Sequence, residues 1–159
     1  MKLYPFIILL ALVAIVTEFT ACKSAVFSKR HSFSDNTWNA KDSIAFEPEI
    51  KDAIQSYEII LNLRHTQHYE CKNIIFSMSI TSPDGKMLSY EQLDIPLADN
   101  SGMWSGEWLG DIVDQKLILK RNYKFEKAGK YTFRFSQQMR DKEKLRSIMS
   151  VGLEIKQKS

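Results

Sequence analysis

From Trp38 onward, apolar residues recur at every second position, which is the period of a strand with one face turned to a core. Tyr57, Ile59, Leu61 and Leu63 alternate with Glu58, Ile60, Asn62 and Arg64. Ile74, Phe76, Met78 and Ile80 repeat the pattern, and Ser82-Pro83-Asp84-Gly85 then supplies a turn, with proline presetting the first central dihedral and glycine closing it. Further strands are marked by Leu93, Ile95 and Leu97; by Leu117, Leu119, Tyr123 and Phe125; by Tyr131, Phe133, Phe135, Gln137 and Met139; and by Val151, Leu153 and Ile155. Only Asp141–Arg146 reads as a short helical turn. Seven or eight closely spaced strands with polar outer faces predict an all-β fold, an antiparallel β-sandwich over residues 35–159. Jelly-roll and immunoglobulin-like topologies fit this pattern equally.

The N-terminus follows a different rule. Lys2 precedes the unbroken apolar run Leu3–Val16, shorter than the roughly 20 residues a membrane-spanning helix needs, and it fits the hydrophobic region of a signal peptide. Thr17-Glu18-Phe19-Thr20-Ala21 leads to Cys22 with small residues at the two preceding positions, resembling the lipobox of bacterial lipoproteins. Residues 1–21 are therefore expected to be removed and Cys22 to carry the lipid. One buried acyl chain binds a membrane marginally, whereas two or more anchor it stably. Residues 22–34 hold several serines and no period, and are expected to form a flexible tether reaching about 40 Å when extended.

The chain has 159 residues, enough for one domain, and its formal net charge of +3 is spread without a basic stripe, so nucleic acid is not expected as a partner. Cys22 and Cys71 are the two cysteines, and lipidation of the first leaves the second without an intrachain partner. His65, His68 and Cys71 have the chemistry of metal ligands. The two histidines have opposite strand parity, and no second short-spaced ligand pair accompanies them, so no metal site is expected. The stretch Ala98–Asp111 contains three glycines, Trp104 and Trp108, with carboxylates at Asp99, Glu107 and Asp111. Paired carboxylates serve glycosidases, but catalysis is not expected here. The favoured reading is that Trp104 caps the sandwich, Trp108 is left open and Arg140 bridges carboxylates within the domain, with Trp104, Trp108 and Arg140 as the candidates for a partner or ligand surface. Ser105 lacks the spacing of a nucleophile elbow. No catalytic residue, cofactor or small-molecule substrate is expected. Asp42-Ser43-Ile44 matches a short acceptor pattern for O-glycans on Ser43.

Taken in order, several short motifs resemble the gliding-motility lipoprotein family GldH. They are Trp38 with Asp42-Ser43 and Phe46; Leu63-Arg64-His65-Thr66 with Tyr69 and Asn73; Ser82-Pro83-Asp84-Gly85; Leu97-Ala98-Asp99; Gly102 with Trp104; Leu109-Gly110-Asp111; Gly129-Lys130-Tyr131; Gln137-Gln138-Met139-Arg140; and Val151-Gly152. The resemblance implies a non-catalytic envelope lipoprotein, accessory to the gliding machinery associated with type IX secretion. Its expected partners are the membrane, through the N-terminal lipid, and envelope proteins of that machinery. The expected location is the outer membrane, facing the periplasm. The alternative is a carbohydrate-binding lipoprotein that uses the Trp104/Trp108 loop.

Overall fold

The computed structural model describes residues 25–158. The signal segment and Cys22 lie outside them. The strands are β1 (Ala25–Ser32), β2 (Thr37–Asn39), β3 (Ile44–Phe46), β4 (Glu49–Ile50), β5 (Tyr57–Thr66), β6 (Asn73–Thr81), β7 (Met87–Pro96), β8 (Glu107–Leu109), β9 (Ile112–Tyr123), β10 (Gly129–Lys130), β11 (Thr132–Gln137), β12 (Lys144–Arg146) and β13 (Ile148–Gln157). One 3-10 turn, Ser34–Asn36, follows β1. Among the described residues no helix is long and apolar enough to cross a membrane, which leaves membrane-crossing strands unaddressed.

Two antiparallel sheets form the sandwich, one ordered β1-β13-β5-β9-β8 and the other β3-β11-β6-β7. Leaving aside β8 and the short strand pairs β2–β12 and β4–β10, the remaining strands interleave first-eighth-third-sixth over second-seventh-fourth-fifth. That interleaving is a jelly roll, which decides between the two topologies the sequence allowed. Register makes the core. Ile155, Leu153 and Val151 on β13 stand opposite Ile59, Leu61 and Leu63 on β5. Phe133 and Phe135 on β11 stand opposite Ile80 and Met78 on β6. These side chains and Trp38, Tyr57 and Tyr131 join one buried cluster. Each fully buried aliphatic or aromatic side chain contributes about 1.5–3 kcal/mol of transfer free energy.

Two expectations are corrected. Ala25–Ser32 is not tether but strand β1, paired with β13 from Ala25↔Lys156 to Ser32↔Ser150. Its backbone joins a ladder although its side chains stay largely exposed, so no alternation marked it. Asp141–Arg146 is not helical. Asp141 takes a left-handed φ of 57°, and Lys144–Arg146 pairs with Thr37–Asn39 so that Leu145 enters the core opposite Trp38.

The alternating strand directions divide the connections between two ends. Ala25 begins at the end that also holds Tyr57, Tyr123 and Gln157. At the opposite end lie the turn after β1, the corner from Thr66 to Asn73, the long loop before β9 and the segment from Gln138 to Ser147.

Candidate functional site

The corner after β5 is organised around a buried histidine. His65 is fully buried between Tyr69 and Trp104, with ring centroids 5.5 Å and 4.8 Å away. Its Nδ1 lies 2.9 Å from the Thr66 carbonyl, which can only accept, so Nδ1 carries the proton. Nε2 then accepts from the Gln115 amide at 3.0 Å, and the same amide nitrogen donates to the Leu97 carbonyl at 2.9 Å. Burial pushes the imidazole below its ordinary range, only partly opposed by the Thr66 bond and by Asp114. Tyr69 Oη donates to the Asn73 carbonyl at 3.0 Å, and desolvation raises its phenol well above the usual value. On the outer face Arg64 grips Asp114 with two bonds, 2.7 Å from Nε to Oδ1 and 2.6 Å from Nη2 to Oδ2, and this pairing holds the carboxyl below its usual range.

The long loop is built on that corner. Asp99 Oδ1 accepts from Ser101 Oγ at 2.6 Å and from the Met103 N–H at 3.0 Å, while Asp99 N–H donates to the Met103 carbonyl at 2.9 Å. Ser105 N–H returns to the Leu97 carbonyl at 2.8 Å. Gly106 has φ +102°, and a Cβ there would stand 2.4 Å from the Asp114 carbonyl, so only glycine lets the loop pass over β9. Beyond it, β8 lays Glu107, Trp108 and Leu109 along β9 as the sheet edge.

This scaffold leaves an apolar tip in solvent. Met103 is 67%, Trp108 48% and Leu109 72% exposed. Trp104 instead packs against the core, as expected of a cap. Trp104 and Trp108 both line a shallow hollow of about 480 Å³ with Gln67, Ser101, Gly102 and Met103. Asp99, Glu107 and Asp111 are exposed. Asp99 is engaged within its own turn, and Asp111 fixes the corner through its carbonyl, which accepts from Gln67 N–H at 2.8 Å.

The remaining sequence-singled residues are spread out. His65 has both nitrogens occupied within the core, whereas His68 is an exposed turn residue and Cys71 is a partly exposed free thiol packed against the core edge. Among the described residues no group of three or more His, Cys, Asp or Glu side chains is placed to hold a metal ion. Arg140 and Ser43 are exposed. Sequence reasoning missed Gln115, whose amide completes the histidine network, and Met103 and Leu109, which complete the apolar tip. It also missed a polar groove of about 670 Å³ in the same end, where Lys144 and Arg146 face Ser34, Asp35 and Asn36. Asp35, Asn36 and Ser147 there take left-handed φ of 55°, 49° and 67°. The Ser34-Asp35-Asn36 triplet was the available signal, since Asp and Asn tolerate that conformation.

The profile of the GldH lipoprotein family matches residues 25–155. The chain belongs to the GldH lipoprotein family. The gliding motility lipoprotein GldH homolog of Christiangramia forsetii is 29% identical over 144 residues, covering 86% of this chain and 87% of that one. The gliding motility lipoprotein GldH of Flavobacterium johnsoniae is 28% identical over 153 residues, covering 92% and 94%. Among solved structures, a family GH115 4-O-methyl-alpha-glucuronidase superposes with TM-score 0.47 and 12% identity over 88% of this chain and only 18% of its own, too loosely to bear on function. Membership makes this a lipoprotein of the gliding-motility class. The GldH motifs also acquire a structural reading. Leu63–Thr66, Tyr69, Asn73, Leu97–Asp99, Gly102 and Trp104 converge on the corner and loop that support the tip.

Proposed function

We propose that this GldH-family lipoprotein is non-catalytic, anchored in the outer membrane by lipid on Cys22 and facing the periplasm. It serves as an accessory of the gliding machinery associated with type IX secretion and acts by protein–protein contact. The observation that carries this reading is the exposure of Met103, Trp108 and Leu109 on an internally hydrogen-bonded loop and its edge strand, at the end opposite Ala25. Exposed apolar side chains at one end of a domain are common elements of a protein contact, and tryptophan is enriched among residues that dominate binding. The chain enters the domain at the other end, so an anchor before Ala25 leaves the tip directed away from the bilayer.

The test is complementation of a deletion strain with Met103→Asp/Leu109→Asp. The variant is expected to reach the membrane fraction at the wild-type level, keep its fold and lose colony spreading. Spreading at the wild-type rate would remove the tip from the function.

The hollow beside Trp108 favours one second reading, a carbohydrate site in which the indole stacks on a sugar and Gln67 and Ser101 supply hydrogen bonds. Calorimetric titration with envelope polysaccharide separates the two. A sugar site requires saturable heat that Trp108→Ala abolishes, whereas the protein-contact reading expects none.

A further inference from the structure

The outermost strand of the five-stranded sheet has its own logic. In an antiparallel ladder, residues alternate between those that exchange both backbone bonds with the neighbouring strand and those whose N–H and C=O turn away. Phe33 N–H donates to the Met149 carbonyl at 2.9 Å, immediately after Ser32↔Ser150 in register. Lys29 and His31 share the parity of Phe33 and bond inward to β13. Ser28, Arg30 and Ser32 therefore direct their backbone donors and acceptors off the sheet. The facing residue agrees with this parity: Gly152 lies opposite Arg30, and a Cβ on it would come within 3.6 Å of Arg30 Cα, the close approach of a pair without mutual bonds.

We propose that the free edge of β1 is a docking site for an acidic, extended polypeptide segment of a partner protein, which joins the sheet as one more strand. Charge selects the occupant. Lys29, Arg30 and His31 lie consecutively and exposed in the middle of β1, and among the described residues none forms an ion pair. The strand runs on into the groove lined by Lys144 and Arg146, which are likewise outside any ion pair among the described residues. A second copy is disfavoured, because antiparallel pairing of β1 with itself sets these basic residues against each other. The other long edge, β7, carries Glu91 and Asp94 and offers no such attraction, and β3 and β8 are only three residues each. Basic residues also guard sheet edges against self-association, and selectivity for an acidic strand distinguishes docking from that protective role.

The inference is independent of the tip, and its test uses the full chain in detergent. The probes are a fluorescein-labelled peptide alternating glutamate with valine and threonine, and a twin with lysine in place of glutamate. The acidic peptide is expected to bind about tenfold or more tightly than its twin and to slow amide exchange at Arg30 and Ser32. Ser28→Pro and Ser32→Pro remove only outward N–H groups, so each should cut binding about tenfold or more while the circular dichroism spectrum stays native. Arg30→Glu, which leaves the backbone untouched, should weaken the acidic peptide and favour the lysine twin. Equal binding of both peptides, wild-type binding by the proline variants, or protection confined to other strands would overturn the proposal. So would charge-dependent binding to phosphatidylglycerol vesicles without peptide binding, which would assign the basic residues to lipid.

Discussion

At His65, a side chain with the chemistry of a metal ligand becomes a neutral core residue because both ring nitrogens find partners. Neighbour spacing in the sequence pointed away from a metal site, but nothing local revealed Gln115, which meets His65 only through pairing of β5 with β9. The buried imidazole has a pH consequence. Its proton affinity is lowered in the folded protein, so the unfolded chain binds the extra proton once pH falls below about 6.5. Stability is therefore full above that value and declines as pH drops toward the lower folded value. Asp114 acts in the same direction but in a lower window: its carboxyl is depressed by Arg64, and its contribution is lost only as pH falls below about 4. Urea midpoints at pH 8 and pH 5 should show wild type weakening at pH 5, with His65→Gln less stable overall but flatter across this window. A wild-type profile that stays flat between those values would contradict the neutral assignment.

Among elements, the long strands were legible because burial on one face writes itself into alternate positions, as in Ile74, Phe76, Met78 and Ile80 on β6. β1 was not, because an outer strand needs little apolar surface: its inward positions include Lys29 and His31, and only Phe27 packs on the core. β12 failed differently. Charged residues flank Leu145 in a pattern equally suited to one helical turn, and long-range pairing with β2 decides the matter. The segment before it is fixed by the buried Gln137, which donates to the Lys142 carbonyl and accepts from Met139 N–H, both at 2.9 Å. Gln137→Leu keeps the volume but strands both backbone groups, at a cost of about 1–3 kcal/mol. Denaturant unfolding should register that loss, and amide exchange at Met139 should accelerate. Unchanged exchange there would show that the loop holds itself without the glutamine.

For the whole molecule, the class of fold was readable and the jelly-roll interleaving was not, because which strands become neighbours depends on contacts far apart in sequence. The same holds for the candidate site. Trp104 and Trp108 stood out by residue type, but their different fates, one packed and one in solvent, follow from the turn at Gly106 and the pairing of β8 with β9. The polarity of the molecule emerges only at this scale, with chain entry at Ala25 at one end and the tip of Met103, Trp108 and Leu109 at the other. Site-specific photocrosslinking in living cells tests that arrangement most directly, with a photoreactive phenylalanine analogue placed at Leu109 in one strain and at Ile54, exposed at the entry end, in another. The account predicts a discrete envelope-protein adduct from position 109 that disappears in a Cys22→Ala background, and no such adduct from position 54. An adduct from 54 but not from 109, or an adduct from 109 that persists without Cys22, would contradict it.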